Sequence, residues 1–326
     1  MKIEIGTNEA GQRFDKYLAK LLEEAPKSFF YKMMRKKNIT LNGKKAQGNE
    51  MLCTGDMVKL FLSDETFEKF SSAKQASHAR AKLQIIYEDQ DVLFINKPAG
   101  MLSQPAGDGT PSLVEYLTGY LLDTGALNAA DLVTFRPGVC NRLDRNTSGI
   151  VLCGITTAGL QTISRMLRKR ELEKYYLCIV QGTMREDRKI KGWLIKDEKK
   201  NTVTLSRRPA EGASPVETWY QVLDTSQEAT LLKVRLITGK SHQIRAHLAS
   251  EGHPVLGDYK YGSRAENDRL KRKTGINYQL LHSYELKMTG SDAHAASRML
   301  HVIDPPPAPF RQAMEFYGLS LNERRR

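Results

Sequence analysis

The first sixty residues carry two runs of apolar positions at helical spacing. The apolar positions of the first run are Phe14, Tyr17, Leu18, Leu21 and Leu22. This spacing predicts an amphipathic helix, and a second helix is predicted at residues 27–37. The next segment predicts a β-hairpin because the pair Asn42-Gly43 suits a tight two-residue turn, and a last strand follows at residues 57–62. We therefore predict a small α/β domain over residues 1–62.

The remainder of the chain predicts a larger domain of a different kind. Residues 63–82 lose periodicity and gain small polar side chains, so they are predicted to link two domains. The predicted strands then span residues 91–96, 150–154, 175–180, 216–222 and 231–237. The predicted helices span residues 112–121, residues 157–169 and a segment after Gly239, and residues 194–205 predict a hairpin. This mixture indicates an α+β fold with a central, mixed and largely antiparallel sheet over residues 83–326.

The charge of the chain suggests the kind of partner it binds. Its 326 residues include 50 Lys and Arg against 37 Asp and Glu, which gives a formal net charge of +13. Such an excess favours a polyanionic partner such as nucleic acid, although basic proteins without one are common. The predicted first domain shares the excess, on its second helix and its hairpin. Its candidate phosphate contacts are Lys32, Arg35, Lys36, Lys37 and Lys44. On a short helix, however, a run of charge is usually only a solvated face.

The cysteines and the N-terminal segment bear on the cellular compartment. The four cysteines are Cys53, Cys140, Cys153 and Cys178. They are widely spaced and lack the nearby histidines of a zinc site, so free thiols in a reducing compartment explain them most simply. The N-terminal residues carry charge where a signal peptide needs an apolar run, and no segment approaches the roughly 20 apolar residues of a membrane span. We expect a cytoplasmic protein that is not bound to a membrane.

A carboxylate between two arginines is the most informative feature of the sequence. Asp144 lies between Arg142 and Arg145, and the segment ends in Thr147-Ser148-Gly149 before an apolar strand. An aspartate in this position is either a catalytic group or half of a surface ion pair, and an isolated segment of this kind favours the ion pair. Other segments of the chain decide between the two interpretations.

A second polar segment follows the strand at residues 231–237. After a Thr-Gly turn, Ser241 can cap a helix in which Ile244 and Leu248 face a core at a spacing of four. Arg245 would lie about one turn into this helix, near its positive end, as either a solvated or a functional residue. The two histidines of the segment, His242 and His247, are five residues apart. Since that spacing does not place two imidazoles on one helical face, we expect no metal site.

Two further segments hold candidate residues. Lys97 follows an apolar strand and precedes Pro98, and its ammonium group could be structural or could contact a phosphate. Tyr175 and Tyr176 begin a predicted strand, where each would ordinarily be half-buried with an exposed hydroxyl. Neither segment identifies a function by itself.

Taken together in this order, these segments resemble the RluA-type family of RNA pseudouridine synthases, particularly the RluC-like and RluD-like members that modify ribosomal RNA. The resemblance spans nearly the whole chain and is carried by residues 141–149 and residues 238–248, with further likeness at residues 252–262 and Leu281-His282. The predicted first domain resembles the small RNA-binding domain named after ribosomal protein S-four. One departure is Asn141, which stands where many members of the family have histidine.

The resemblance implies roles for individual residues. Asp144 would be the catalytic nucleophile or base, Arg245 its ion-pair partner and Tyr176 the basic tyrosine of the family. Tyr176 is preferred to Tyr175 because it begins the stretch that matches the family strand. Arg142 would enter the RNA stack when the target uridine leaves it, and RNA contacts at Asn141 would differ from those of other members.

The implied reaction detaches uracil from the ribose at nitrogen and rejoins it through carbon. Asp144 would either attack the anomeric carbon or remove a ribose proton, and Tyr176 would stack on the uracil and remove the ring proton. This redox-neutral rearrangement needs no metal, nucleotide or redox cofactor, and nothing predicts an obligate dimer. The alternatives are a noncatalytic RNA-binding or ribosome-assembly protein and a synthase acting on transfer RNA. A glycosidase is disfavoured because no second carboxylate accompanies Asp144 in the sequence.

Overall fold

The computed structural model describes residues 1–71, 78–197, 202–289 and 301–321. The chain divides into two compact units, each built from several segments. The first comprises Met1–Phe94, Gln104–Asn141 and Leu152–Ser164, and the second comprises Ile95–Ser103, Arg142–Val151 and Arg165–Arg326. Among the described helices, none is long and apolar enough to span a bilayer.

The first unit begins with a small module of two helices and four strands. Its elements are β1 (Lys2–Glu4), α1 (Phe14–Leu21), α2 (Lys27–Arg35), β2 (Ile39–Leu41), β3 (Lys44–Lys45) and β4 (Met57–Leu60). The strands form an antiparallel sheet in the order β1-β4-β2-β3. Asn42 and Gly43 have φ values of 51° and 73°, as a tight hairpin turn requires. The predicted helices and hairpin are confirmed, although α2 ends at Arg35, so Lys36 and Lys37 follow it.

The core of this module follows the apolar pattern of α1. All five apolar positions of the predicted first helix are buried, and they pack with Phe30 and Met34 of α2. A further helix, α3 (Asp64–Phe70), lies where the sequence predicted only a linker. Ser63 caps this helix, and the ring of Phe70 lies 4.7 Å from that of Phe29. This helix was not predicted, and residues 72–77 of the proposed linker lie outside the described part of the chain.

The next elements lie wholly or partly in the first unit and include a short part of a second sheet. They are β5 (Gln84–Glu88), β6 (Val92–Lys97), α4 (Leu113–Asp123), α5 (Asp131–Thr134), β7 (Gly138–Val139), β8 (Ser148–Gly154) and α6 (Thr157–Lys169). The strand order is β8-β6-β5, and β7 pairs with the end of β8. Helix α6 has the predicted bounds. Helix α4 begins after Ser112, whose side chain and that of Glu115 form a capping box.

The second unit contains the larger part of this sheet. Its further elements are β9 (Leu172–Gln181), β10 (Arg188–Asp197), β11 (Thr202–Ser206), β12 (Ser214–Thr225), β13 (Ala229–Leu236), α7 (Gln243–Ser250), α8 (Arg264–Thr274), β14 (Leu281–Met288), β15 (His301–Ile303) and α9 (Ala308–Phe316). The order is β11-β10-β12-β13-β9-β14, with antiparallel neighbours throughout, and the start of β8 adds a parallel pair to β14. The predicted mixed, largely antiparallel sheet is confirmed.

Two details of this unit matter for the site. In the predicted hairpin Leu194 lies opposite Leu205, and its turn at residues 198–201 lies outside the described residues. At the start of β8 the backbone of Gly149 packs directly against β14. A Cβ at this position would lie 2.2 Å from the carbonyl oxygen of Ser283, and φ is +107°, so only glycine fits. This close approach fixes the strand that follows Asp144.

Candidate active site

The loop that carries Asp144 is held at several points. Its backbone forms a turn in which Thr147 N donates to the carbonyl oxygen of Asp144 at 3.0 Å. Ser103 Oγ bonds both the nitrogen and the carbonyl oxygen of Leu143, at 3.1 and 2.8 Å. Gly100 N donates to the carbonyl oxygen of Arg145 at 2.9 Å. The carboxylate itself stays partly accessible, with 26% of the side chain exposed.

Arg245 joins this carboxylate to a second one. Its Nη1 donates to Asp144 Oδ2 at 2.7 Å, so the ion pair implied by the resemblance is present. The same guanidinium donates from Nε and Nη2 to Asp258 at 2.6 and 2.8 Å. Burial would lower the pKa of Arg245, yet Asp258 and Asp144 raise it above its usual value. Asp258 therefore orients the guanidinium so that Nη1 faces Asp144.

Sequence reasoning gave no role to Asp258. Its side chain is fully buried, and its Oδ1 also accepts the backbone amides of Lys260 and Tyr261, at 2.9 and 3.3 Å. The only signal in the sequence was that residues 252–262 resemble a family segment. Asp258 contacts Arg245, which is 13 residues away along the chain. A contact over this distance produces no periodic pattern in the sequence, so it could not be predicted.

Helix α7 begins later than predicted, and its start is organised by a different side chain. It begins at Gln243, and Ser241 does not cap it, so that prediction was wrong. Instead Gln243 Oε1 accepts from Lys240 N and Thr238 Oγ1, at 3.1 and 2.9 Å. Gln243 Nε2 donates to Glu217 O and Thr218 Oγ1 on β12, at 3.0 and 2.9 Å. Because these bonds fix the turn before the helix, the position of Arg245 is fixed as well.

The inward face of α7 agrees with the sequence. Ile244 and Leu248 are buried, as their spacing predicted. His247 is also buried, and its Nδ1 lies 2.7 Å from Thr218 Oγ1. Burial lowers the pKa of His247 to about 4, so this imidazole is neutral at physiological pH.

His242, by contrast, faces Asp144. Its Nε2 lies 3.8 Å from Asp144 Oδ2, and its Nδ1 lies 2.8 Å from the hydroxyl of Tyr261. The ring of Tyr261 in turn lies 5.1 Å from the guanidinium carbon of Arg245. The two histidines of the segment thus bond to different partners. Within the described ranges no group of three His, Cys, Asp or Glu side chains could hold a metal ion.

The two tyrosines at the start of β9 lie in different surroundings. Tyr176 is almost completely buried, and burial raises its pKa to about 12, to which the charge of Asp144 also contributes. A hydrogen bond with Ser283 acts in the opposite direction. Tyr175 instead donates its hydroxyl to Glu173 at 2.7 Å, and the ammonium group of Lys233 lies 5.3 Å from its ring. Of these two tyrosines, only Tyr176 is therefore affected by the charge of Asp144.

Lys97 is bonded to the backbone around the loop of Asp144. Its side chain is completely buried, and Nζ donates to the carbonyl oxygens of Pro98, Met101 and Arg145 at 3.0, 2.9 and 3.1 Å. Burial lowers the pKa of Lys97 to about 7, against the attraction of Asp144. These contacts favour a structural role, in which Lys97 holds the loop of Asp144, over the suggested phosphate contact.

We expect Lys97→Met to lower the free energy of unfolding by about 1 to 3 kcal/mol, because buried carbonyl oxygens lose their donors. Urea unfolding followed by circular dichroism measures the loss, and Lys271→Met at an exposed position of α8 is the control. The salt dependence of RNA binding should be unchanged by Lys97→Met. A weaker salt dependence with unchanged stability would instead support a phosphate contact.

The remaining candidate RNA contacts lie on the surface, with one exception. Arg142 is exposed and makes no hydrogen bond or ion pair with any residue that the structure describes. Asn141 has a structural contact, because its Oδ1 accepts from Leu152 N at 2.7 Å. The five candidate phosphate contacts of the N-terminal module are all exposed. They are Lys32, Arg35, Lys36, Lys37 and Lys44.

Comparisons with known proteins identify a family for this chain. Residues 91–250 match the family described as RNA pseudouridylate synthase. Ribosomal large subunit pseudouridine synthase C of Vibrio vulnificus (strain CMCP6) is 31% identical over 313 residues, covering 93% of this chain and 92% of the relative. The protein of the same name from Escherichia coli (strain K12) is 31% identical over 292 residues, covering 88% of each chain.

A solved structure supports the fold. Human RNA Pseudouridylate Synthase Domain Containing 4 superposes with a TM-score of 0.60 at 21% sequence identity, covering 74% of this chain and 95% of the human one. At that identity the likeness concerns the fold alone. It agrees with the α+β architecture described above.

Proposed function

This chain belongs to the RNA pseudouridylate synthase family, and on that premise we propose that it converts specific uridines of large-subunit ribosomal RNA to pseudouridine. The carrying observation is the partly accessible carboxylate of Asp144 beside the buried guanidinium of Arg245. The names of the two bacterial relatives, which cover about nine tenths of the chain, support the large ribosomal subunit as the source of the RNA. The accessible carboxylate of Asp144 beside Arg245 also disfavours a noncatalytic RNA-binding protein, because RNA binding alone does not require an acidic group at this position.

Asp144 is the proposed catalytic carboxylate. The 2.7 Å bond from Arg245 orients the carboxylate of Asp144, which is proposed either to attack the anomeric carbon or to remove a ribose proton. Both routes break the bond between the ribose and the uracil nitrogen, and both need the target nucleotide to leave the RNA stack.

Arg142 and Tyr176 are the proposed contacts with the flipped nucleotide. Base flipping costs a few kcal/mol, and an exposed planar guanidinium that fills the vacated space returns about 1 to 3 kcal/mol. Tyr176 is proposed to stack on the uracil. Its pKa of about 12 means a neutral phenol near pH 7, which cannot accept the ring proton without first losing its own.

The module at residues 1–62 is the proposed RNA-binding domain, followed by the catalytic domain from residue 83. Its likeness to the S-four domain and its exposed basic residues support this role. We further propose that the enzyme acts as a monomer in the cytoplasm without a cofactor. Asn141 is assigned an indirect role in RNA binding, through the bond that fixes the segment preceding Arg142.

We expect the triple variant Lys32→Gln/Arg35→Gln/Lys36→Gln to weaken RNA binding without changing the unfolding temperature. Each lost phosphate contact reduces the slope of log K against log salt by about 0.7 to 0.9, so the slope should fall by up to about 3. Filter binding at several salt concentrations measures the slope. The matched control removes three exposed charges from α8, in a variant with Gln at Lys271, Arg272 and Lys273. Equal effects of the two triples would contradict a specific N-terminal RNA-binding face.

Pseudouridine mapping of total RNA tests the proposed function directly. RNA from cells with and without the gene is compared, and the deletion strain is complemented with wild type or with Asp144→Asn. The proposal predicts large-subunit sites that disappear on deletion and return only with wild type. Sites confined to transfer RNA would instead make this a transfer RNA synthase, and unchanged RNA would refute catalysis.

A further inference from the structure

His242 has an unused ring nitrogen beside the reacting carboxylate. The 3.8 Å between its Nε2 and Asp144 Oδ2 is too long for a hydrogen bond, and Nε2 has no other partner among residues 1–71, 78–197, 202–289 and 301–321. The side chain is 10% exposed. An imidazole edge therefore lies next to the carboxylate without being bonded to it.

The other ring nitrogen determines where the imidazole proton lies. The hydroxyl oxygen of Tyr261 accepts from Val203 N at 2.9 Å and lies 2.8 Å from His242 Nδ1. Because the amide of Val203 already donates to this oxygen, we assign the hydroxyl proton to the bond with Nδ1, which is then the acceptor. Burial lowers the pKa of His242, and nearby Arg245 acts in the same direction, although Asp144 opposes them. The neutral ring then carries its single proton on Nε2.

The backbone holds this ring in one place. His242 has a left-handed conformation with φ of 55°, directly before α7. The next residue, Gln243, makes four hydrogen bonds. Two tie it to the preceding turn at Thr238 and Lys240, and two tie it to strand β12. A donor that is fixed before the substrate arrives costs little reorganisation during the reaction, which is the general requirement for electrostatic stabilisation.

The reaction creates negative charge close to this donor. When the bond between C1′ and N1 breaks, its electron pair passes to N1 and is delocalised onto carbonyl oxygen O2 of the uracil. Asp144 either bonds to C1′ or takes the proton from C2′, so its carboxylate lies against the ribose in both routes. O2 is the uracil oxygen nearest to C1′, and a donor within 4 Å of the carboxylate can reach it.

We propose that His242 is a catalytic residue that donates a hydrogen bond from Nε2 to O2 of the target uracil as the base detaches. The inference rests on the proposed function, because it assigns a contact in the same reaction. The charge on O2 grows only as the bond breaks. The contact therefore contributes mainly to the rate of the chemical step and little to RNA affinity.

The test uses the full-length protein and a synthetic RNA spanning a uridine identified by the mapping experiment. His242→Phe removes the donor, His242→Gln keeps an amide donor near the position of Nε2, and His242→Asn places one near Nδ1. The control is His253→Gln, since His253 bonds Gln181 O at 2.8 Å, outside the site. Single-turnover rate constants and RNA dissociation constants are measured for each protein.

We expect His242→Phe to lower the single-turnover rate constant about 100- to 1,000-fold, with the dissociation constant within about threefold of wild type. His242→Gln should recover to within about tenfold of wild type, and His242→Asn should not. Wild-type rates for His242→Phe, or equal rates for the Gln and Asn variants, would overturn the inference. Because the Gln and Asn variants are compared with each other, the test does not depend on the folding of His242→Phe.

Substrate analogues identify the acceptor. With 2-thiouridine at the target, sulfur is a weak acceptor, so wild type should slow while His242→Phe slows little further. With 2′-deoxyuridine the ratio between the two proteins should stay as it is with uridine. A defect of His242→Phe that disappears with 2′-deoxyuridine would assign the bond to the ribose and refute the inference. Absence of pseudouridine with wild type would refute the proposed function instead.

Discussion

Asp144→Asn should abolish pseudouridine formation, by about 10⁴-fold or more, and leave RNA binding nearly unchanged. Asparagine keeps an oxygen that can accept the 2.7 Å bond from Arg245, so the local structure should persist. It is, however, a poor nucleophile and a poor base, and neither route of bond cleavage can proceed. Single-turnover conversion of a uridine-containing RNA measures the rate, and filter binding measures the affinity.

The control for this substitution is Asp268→Asn on α8. Asp268 is partly exposed and accepts the hydroxyl of Tyr259 at 2.9 Å, so it makes an ordinary surface contact. We expect its variant to react at the wild-type rate. Retention of more than a few per cent of activity by Asp144→Asn would rule out Asp144 as the catalytic carboxylate.

Arg245→Ala should lower both turnover and stability. Turnover should fall at least about 100-fold because Asp144 loses the buried donor that orients its carboxylate toward the substrate. The free energy of unfolding should fall by about 3 to 5 kcal/mol because Asp258 is left as a buried charge without a cation. Urea unfolding and single-turnover assays measure the two losses separately.

A double variant separates these two effects. In Arg245→Ala/Asp258→Asn the buried carboxylate is replaced by a neutral amide, whose oxygen can still accept from Lys260 N and Tyr261 N. We expect much of the stability to return while turnover stays low. If turnover returned together with stability, the arginine would have only a structural role. Arg245→Lys should give an intermediate rate, since one ammonium group cannot reproduce the forked contacts with both carboxylates.

Much of the fold could be predicted because its elements carry local patterns. The apolar spacing of α1 and α6 and the Asn-Gly turn between β2 and β3 depend on neighbouring residues, and all three were predicted. The antiparallel sheet followed from β-rich runs separated by turns. Helix α3 was missed because its seven residues carry no apolar repeat that buries one face. Its Phe70 packs on Phe29, a contact between residues far apart in the sequence.

The site was predictable only as far as local segments reach. The resemblance of residues 141–149 and 238–248 to a family identified Asp144 and Arg245, and the structure brings the two together. The start of α7 was misplaced because Ser241 was expected to cap the helix. The turn before the helix is instead fixed by Gln243, which bonds to the distant strand β12. Lys97 was ambiguous since its three carbonyl partners depend on tertiary structure. Asp258 and His242 were likewise recognisable only once distant segments had been placed together.

Two carboxylates share one guanidinium near the proposed reaction centre, so their charges do not cancel. Asp144, Arg245 and Asp258 together carry a net charge of −1, whereas the flanking Arg142 and Arg145 are exposed and positively charged, so they can meet a phosphate that the acids would repel. A polynucleotide can anchor its backbone elsewhere and present only the sugar and base to the acids. A free uridine nucleotide cannot span both the basic surface and the acids as a longer chain can, so it should compete weakly with the polymer.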